Sequence, residues 1–188
     1  EDGVSIYESY GMTETASHIA LRKLCRVPEG VPPESVLPPF RILPWVEIST
    51  DQRGCLCIHT SYLPENPVVA NDLVTLESDE TFRWEGRIDH VVNSGGVKLI
   101  PEKIESKLSP LIPIPFFLTG MPDETLGEKL VLLVEGPRDD SLLKKIRESA
   151  EVDRYEIPRE IHFLENFAHT PTGKINRLQT LRTLQKES

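Results

Sequence analysis

Proline sets the tightest limits on what this chain can fold into. Six of its 16 prolines fall in residues 28–44. Each fixes φ and removes a backbone donor, so that stretch reads as extended loop. The most apolar stretch, residues 111–118, is broken by Pro113 and Pro115. No apolar run approaches the ~18 residues of a membrane span, and no membrane insertion is expected. What lies between the breaks is short. Residues 4–7, 46–49, 54–60, 74–76 and 81–84 are β-prone runs separated by polar turns, which predicts an antiparallel, barrel-like arrangement. Residues 19–26 are mixed in character.

The pattern changes after Asp89. Residues 97–100 read as a strand, and Pro101 follows at a position where a helix begins. Ile104 and Leu108 then lie four apart on one face. Residues 116–119, 129–135 and 161–164 read as strands. Leu142, Leu143 and Ile146 fit a short helix starting near Asp140 or Ser141. Ile175, Leu178, Leu181 and Leu184 suit a terminal helix. Strands alternating with helices make an α+β unit of ordinary domain size. The domain boundary is placed at residues 86–90.

Charge is uneven along the chain. Residues 1–89 hold seven basic against fifteen acidic residues, a net of −8; residues 90–188 hold fourteen against fifteen, a net of −1. The total of −9 argues against a nucleic-acid surface. Cys25, Cys55 and Cys57 make an odd count, which is not a disulfide framework. Cys55 and Cys57 flank Leu56 and read as two small buried residues in a strand. A reducing, cytoplasmic location fits them. The opening Glu1-Asp2-Gly3 carries no basic-then-apolar leader. His18, His59, His90, His162 and His169 show no metal-ligand spacing.

Three segments carry chemistry. The first is Tyr10-Gly11-Met12-Thr13-Glu14-Thr15. Here a tyrosine ring can stack on a purine and Gly11 admits close backbone approach. Thr13 offers a hydroxyl to a phosphate, and Glu14 a hard oxygen to Mg²⁺. The second is Gly86-Arg87-Ile88-Asp89 followed by Gly95-Gly96-Val97-Lys98-Leu99-Ile100-Pro101-Glu102-Lys103-Ile104-Glu105. Just upstream lies Asn71-Asp72-Leu73, and the Asp72 carboxylate and Arg87 guanidinium are the groups that exchange hydrogen bonds with sugar hydroxyls. The third is Thr170-Pro171-Thr172-Gly173-Lys174-Ile175-Asn176-Arg177. Its Gly173-Lys174 pair is not a phosphate P-loop, because Ala168 and Ile175 occupy the positions that need Gly and Ser or Thr. Lys174 reads as sitting at a helix N-terminus, where a cation is disfavoured and therefore suggests a ligand-directed role.

In this order the three segments resemble the acyl-CoA synthetase, adenylation-domain and luciferase superfamily. The resemblance implies a mobile carboxy-terminal lid at residues 90–188, a hinge at 87–89 centred on Asp89, and the β-rich end of a large AMP-binding domain at 1–86. It implies Tyr10 along adenine, Gly11 beside it, Thr13 at the α-phosphate, Glu14 at Mg²⁺, and Asp72 and Arg87 on the ribose. Gly95 and Gly96 would line the CoA side. Lys174 would hold the substrate carboxylate against the α-phosphate, with Thr13 and Glu14 completing the adenylating set. Asn71 departs from the family, which usually has Gly there. The implied reaction joins a carboxylate to ATP and passes the acyl group to CoA, so ATP/AMP, CoA and Mg²⁺ are the expected partners. The family's Ser/Thr/Gly-rich phosphate loop has no counterpart in this sequence, so the chain alone is expected to complete neither step. It is also expected to expose apolar faces, including those of Val4, Ile6, Cys55 and Cys57, with self-association as a consequence.

The run from Tyr10 to Arg22 looks like that of o-succinylbenzoate–CoA ligases of menaquinone synthesis. Ser17, His18 and Arg22 then stand as polar acyl-pocket residues suited to a small aromatic acid with a second carboxylate. Another aryl- or short-acyl-CoA synthetase is the alternative within enzymes; a non-catalytic binding module is the alternative outside them.

Overall fold

The computed structural model describes residues 4–64 and 66–187, with the side chains of 185–187 left aside. The chain's first three residues, read above as lacking a leader, lie outside the described residues. The fold is α+β, and the chain divides into two compact units, Glu1–His90 and Val91–Ser188.

The first unit is a sheet. Its strands are β1 (Tyr7–Gly11), β2 (His18–Lys23), β3 (Phe40–Ile42), β4 (Glu47–Thr50), β5 (Cys55–His59), β6 (Val68–Ser78) and β7 (Thr81–Arg87). They run β1-β2-β3-β7-β6-β5-β4 across the sheet. Every pairing is antiparallel. Turn chemistry explains several joins. Between β4 and β5 the Asp51 carboxylate accepts from the Arg53 and Cys55 amides at 2.8 and 2.9 Å. Gly54 there takes φ +83°, a value that costs glycine nothing. One face is closed by Ile19, Phe40, Leu56, Ile58 and Phe82, all buried. The Phe40 and Phe82 rings stack 5.6 Å apart.

Four expectations need correcting here. Val4 and Ile6 are exposed as expected, at 82% and 63%, but they are not in a strand, which starts at Tyr7 and runs to Gly11. Residues 28–44 are not all loop, because Phe40–Ile42 is a strand and Pro33–Ser35 a short 3-10 turn. Residues 19–26 belong largely to β2, whose alternation was hidden by Ile19 and Ala20 being buried side by side. Cys55 and Cys57 do not lack packing partners, since both are buried among the described residues.

The second unit holds β8 (Val92–Ser94), β9 (Val97–Leu99), α1 (Pro101–Leu108), β10 (Phe116–Asp123), β11 (Gly127–Glu135), α2 (Leu142–Glu148), β12 (Glu160–Leu164) and α3 (Arg177–Glu187). Strand β11 is the spine. It pairs antiparallel with β10 and β8, and parallel with β12. Leu130 to Val134 are buried without exception, and their alternation feeds two cores. Leu130, Leu132 and Val134 pack with Ile104 and Leu108 of α1 and Leu142 and Ile146 of α2. Val131 and Leu133 pack with Phe117, Phe167 and Leu184 of α3. Each such side chain contributes about 1.5–3 kcal/mol on burial. Pro101 occupies the first turn of α1, where its missing N–H costs nothing.

The terminal helix differs from its expected face. Leu178 is 60% exposed, whereas Thr180 and Leu184 point inward. A three-residue repeat falls 60° short of a full turn at each step, so it cannot hold one face of a 3.6-residue helix. The i, i+4 pair does.

Candidate functional site

In the first unit, Asp72 is the centre of the arrangement. It lies on β6 opposite Arg87 of β7 in the ladder. The Tyr10 hydroxyl donates to Asp72 Oδ2 at 2.6 Å, and the Trp84 indole N–H donates to Oδ1 at 3.0 Å. Burial, then the neighbouring carboxylate, holds the Tyr10 phenol well above its usual range, so it remains a donor. The Tyr10 ring meets Phe82 edge-on at 5.2 Å and tilts against Phe40 at 5.8 Å. Two donors thus orient the carboxylate, and each oxygen keeps a further lone pair for a ligand. The sequence marks Trp84 only as a strand residue; its role as a clamp on Asp72 depends on a two-residue β6–β7 connection that carries no motif.

Arg87 donates to Asp89 Oδ2 at 2.8 Å, and Asn71 Nδ2 reaches the same oxygen at 3.3 Å. Asp89 sits in a short 3-10 turn, Ile88–His90. The asparagine that departs from the resemblance therefore has a local partner.

The loop after Tyr10 is tightly knit. Thr13–Thr15 is a 3-10 turn, and Thr13 and Glu14 are exposed on it. Thr15 is fully buried. Its hydroxyl accepts from the Met12 amide at 3.1 Å and lies 2.9 and 2.7 Å from the carbonyls of Met12 and Ser17. It fastens a loop in which Ala16 takes φ +58°, a conformation that costs a non-glycine residue about 1 kcal/mol. Gly11 also has a task within the chain. A Cβ there would stand 2.5 Å from the Ser17 carbonyl oxygen, so the glycine admits the chain's own backbone.

Ser17 Oγ and His18 Nδ1 lie 3.3 Å apart on the exposed side of the loop. Arg22 does not join them. It is 8% exposed, paired with Glu8 at 2.7 Å and Glu34 at 3.1 Å, and its guanidinium lies 4.5 Å from the Phe40 ring centre. The expectation that Arg22 serves an incoming carboxylate is corrected: two carboxylates of the chain already hold it.

The second unit presents two further loops. Gly95 and Gly96 form the two-residue turn joining β8 and β9, with Ser94 opposite Val97 and φ of +58° and +83°. Both angles positive is the twist-matched hairpin turn, which selects glycine. Lys98 is exposed on β9. The Thr170–Lys174 segment is a small hairpin. Thr170 N donates to Lys174 O at 2.8 Å, and His169 bridges to Ile175. Gly173 turns its tip at φ +81°. Lys174 is exposed there, and no carboxylate of the described residues pairs with it. Lys174 does not sit at the helix N-terminus expected for it, because α3 starts at Arg177 and is capped by Asn176 Oδ1 on the Gln179 amide at 3.0 Å. Among the described residues no cluster of three His, Cys, Asp or Glu side chains is placed to hold a metal ion.

Arg177 turns out to be a tether. It pairs with Glu105 at 2.8 Å and Glu102 at 3.5 Å, and lies 5.4 Å from the Phe117 ring centre. Glu105 also accepts from the Leu118 amide at 2.7 Å. Burial is the largest influence on Glu105 and pushes its carboxyl above the usual range; Arg177 opposes it.

No family model matches the chain. In sequence it is 32% identical over 113 residues to 3-oxocholest-4-en-26-oate–CoA ligase of Rhodococcus rhodochrous, covering 56% of this chain and 20% of that protein. It is 31% identical over 112 residues to 2,3-dihydroxybenzoate-AMP ligase of Bacillus subtilis, with the same coverage. Against sulfoacetate–CoA ligase of Cupriavidus necator it is 26% identical over 211 residues, covering 95% of this chain and 40% of that one. The chain thus spans between a fifth and two fifths of these relatives. In fold it matches the anthranilate–CoA ligase AuaEII in complex with anthranoyl-AMP, with a TM-score of 0.74 at 20% identity over 97% of this chain and 40% of that one. It matches an E. coli MenE variant with bound OSB-AMS at a TM-score of 0.71 and 18% identity, over 99% and 42%.

Proposed function

We propose that this chain, similar in sequence to parts of AMP-forming acyl-CoA and aryl-acid ligases and in fold to an anthranilate–CoA ligase, is the carboxy-terminal portion of a CoA ligase of the AMP-forming acyl-CoA ligase and adenylation superfamily. The whole enzyme adenylates a carboxylic acid with ATP and transfers the acyl group to CoA. The observation that carries this reading is the Asp72 carboxylate, oriented by Tyr10 and Trp84 and set across the ladder from Arg87. An oriented carboxylate beside a guanidinium and an aromatic ring suits the ribose and base of a nucleotide.

In this mechanism Asp72 accepts from the ribose hydroxyls and Arg87 donates to them. Thr13 donates to the α-phosphate. Glu14 is a single exposed carboxylate, which fits Mg²⁺, an ion held mostly by phosphates and water with one or two carboxylates. When bound, Mg²⁺ neutralises phosphate charge. Lys174, on its flexible stem at a hairpin tip, brings a positive charge to the carboxylate and α-phosphate and offsets the charge that develops between them. Residues 90–188 act as a lid that turns about Asp89, and the Gly95-Gly96 turn then takes the CoA side for attack by the thiol. Tyr10 and Gly11 belong to the nucleotide pocket.

For the acid, the reading is a small aromatic carboxylate, with o-succinylbenzoate as the specific case and Ser17 and His18 lining the pocket. The sequestration of Arg22 by Glu8 and Glu34 favours a second reading, an aryl- or short-acyl-CoA ligase whose substrate lacks a second carboxylate. A ligase carrying this sequence tests the assignment through Lys174→Ala. Pyrophosphate exchange should fall at least a hundredfold, on the order of 3 kcal/mol of lost charge stabilisation. Thioester formation from supplied acyl-adenylate should fall far less. Equal losses in the two half-reactions would remove Lys174 from the adenylation step.

A further inference from the structure

The Gly95-Gly96 turn is poorly supported by its own hairpin. Its strands are three residues each, and an isolated short hairpin is marginal in water. Two consecutive glycines carry the largest backbone entropy to be lost on ordering. Yet the turn is fastened residue by residue to a second one, the connection between β10 and β11. The Asn93 amide donates to Glu128 Oε2 at 2.8 Å. Ser94 pairs with Gly127 in the ladder. The Gly95 amide donates to the Leu126 carbonyl at 3.0 Å. The Leu126 side chain lies against Gly95 so closely that a Cβ added there would meet its Cδ2 at 3.0 Å.

The second turn is itself rigid. Asp123 Oδ1 accepts from the Thr125 amide at 3.0 Å and the Leu126 amide at 2.9 Å. Those bonds, that from Leu126 foremost, hold the Asp123 carboxyl below its usual range. Gly127 closes the turn at φ +76°. Beneath both turns lies a cavity of about 120 Å³, lined by Gly95, Val97, Leu126, Leu130 and Tyr155 among others. With space beside the Gly95 turn, the Leu126 side chain is the apolar contact that backs the backbone bonds holding it.

We propose that Leu126 and Asp123 are positioning residues of the thioester step: Asp123 shapes the β10–β11 turn, and Leu126 uses it to hold the Gly95-Gly96 turn in its working form. This rests on the assignment of that turn to the thiol half-reaction. Neither residue touches substrate; both act through Gly95.

The test has two arms. In the chain itself, amide hydrogen exchange is followed by NMR in Leu126→Ala, Asp123→Ala and Leu126→Met. The Gly95 amide should exchange roughly tenfold faster in the two alanine variants and near the parent rate in the methionine variant. The amides of Val131 and Leu133 report global opening and should not move. An unchanged Gly95 rate overturns the proposal. In a ligase carrying the sequence, the ratio of thioester formation to adenylate formation should fall about tenfold in the alanine variants and recover in Leu126→Met. Gly95→Val, which alters the turn directly, separates the positioning role from the role of the turn itself. If it lowers the ratio while the alanine variants do not, the positioning role is wrong. If it too leaves the ratio unchanged, the assignment of the turn to the thiol step is wrong and the proposal falls with it.

Discussion

Gly11 lies where two stretches of backbone nearly touch, and no side chain fits between them. The Ser17 carbonyl and the His18 Cα stand 2.5 and 2.6 Å from where a Cβ would be, and both are main-chain atoms that cannot swing aside. Gly11→Ala should therefore force the β1–β2 connection open at a cost of about 3 kcal/mol. Urea melts of residue 11 variants would measure it. A change below 1 kcal/mol would show that the loop gives way freely. The same comparison separates what a single residue reveals in sequence from what it conceals. Glycine before a polar loop announces close approach, but not whether a ligand or the chain's own carbonyl approaches. Arg22 conceals more. Its polarity suggested an open pocket, while Glu8 and Glu34, 14 positions before it and 12 after, had already claimed its charge.

At the scale of elements, Arg177 joins α3 to α1 and to the start of β10. Arg177→Ala would leave Glu105 buried without its counter-charge, a loss of about 3 kcal/mol. The pH dependence follows from the sign of the Glu105 shift. Its carboxyl is already raised above the ordinary value by burial, and removing the guanidinium raises it further. The folded state then binds the proton more tightly than the unfolded chain, so stability rises as pH falls toward the unfolded value. The deficit of Arg177→Ala should thus be largest near pH 7 and shrink on approach to pH 4.5. Thermal melts across that range check it, and a pH-independent deficit would mean that Glu105 is hydrated in the variant. Elements marked by local chemistry were legible in advance: Pro101 at the start of α1, the Gly95-Gly96 turn, the strand pattern of residues 129–135. The Arg177 tether spans 72 residues, and nothing local signals it. Strand β3 was obscured by the prolines on either side of it, although its three residues form a rung of the sheet.

At the scale of the whole molecule, the second unit has what a domain needs. It carries a sheet with apolar side chains on both faces, and helices supply residues to each. A chain of residues 91–188 should fold alone and unfold cooperatively, with a stability on the order of 5 kcal/mol. Circular dichroism through a urea titration would show one transition. A featureless decline would mean that the unit depends on residues before it.

The first unit carries a different consequence in its strand order. Its last strand in sequence, β7, is the one that joins β3 to β6. On a ribosome, the chain from β1 to β3 and the chain from β4 to β6 emerge before β7, so the edges of β3 and β6 that it pairs stay open until it arrives. The sheet becomes continuous only once Arg87 has cleared the exit tunnel. Until then both open edges are templates for pairing with other chains. The interval in which a nascent copy is most prone to stick to its neighbours is therefore fixed by the translation time of residues 43–87, and it ends when β7 slots between the two halves.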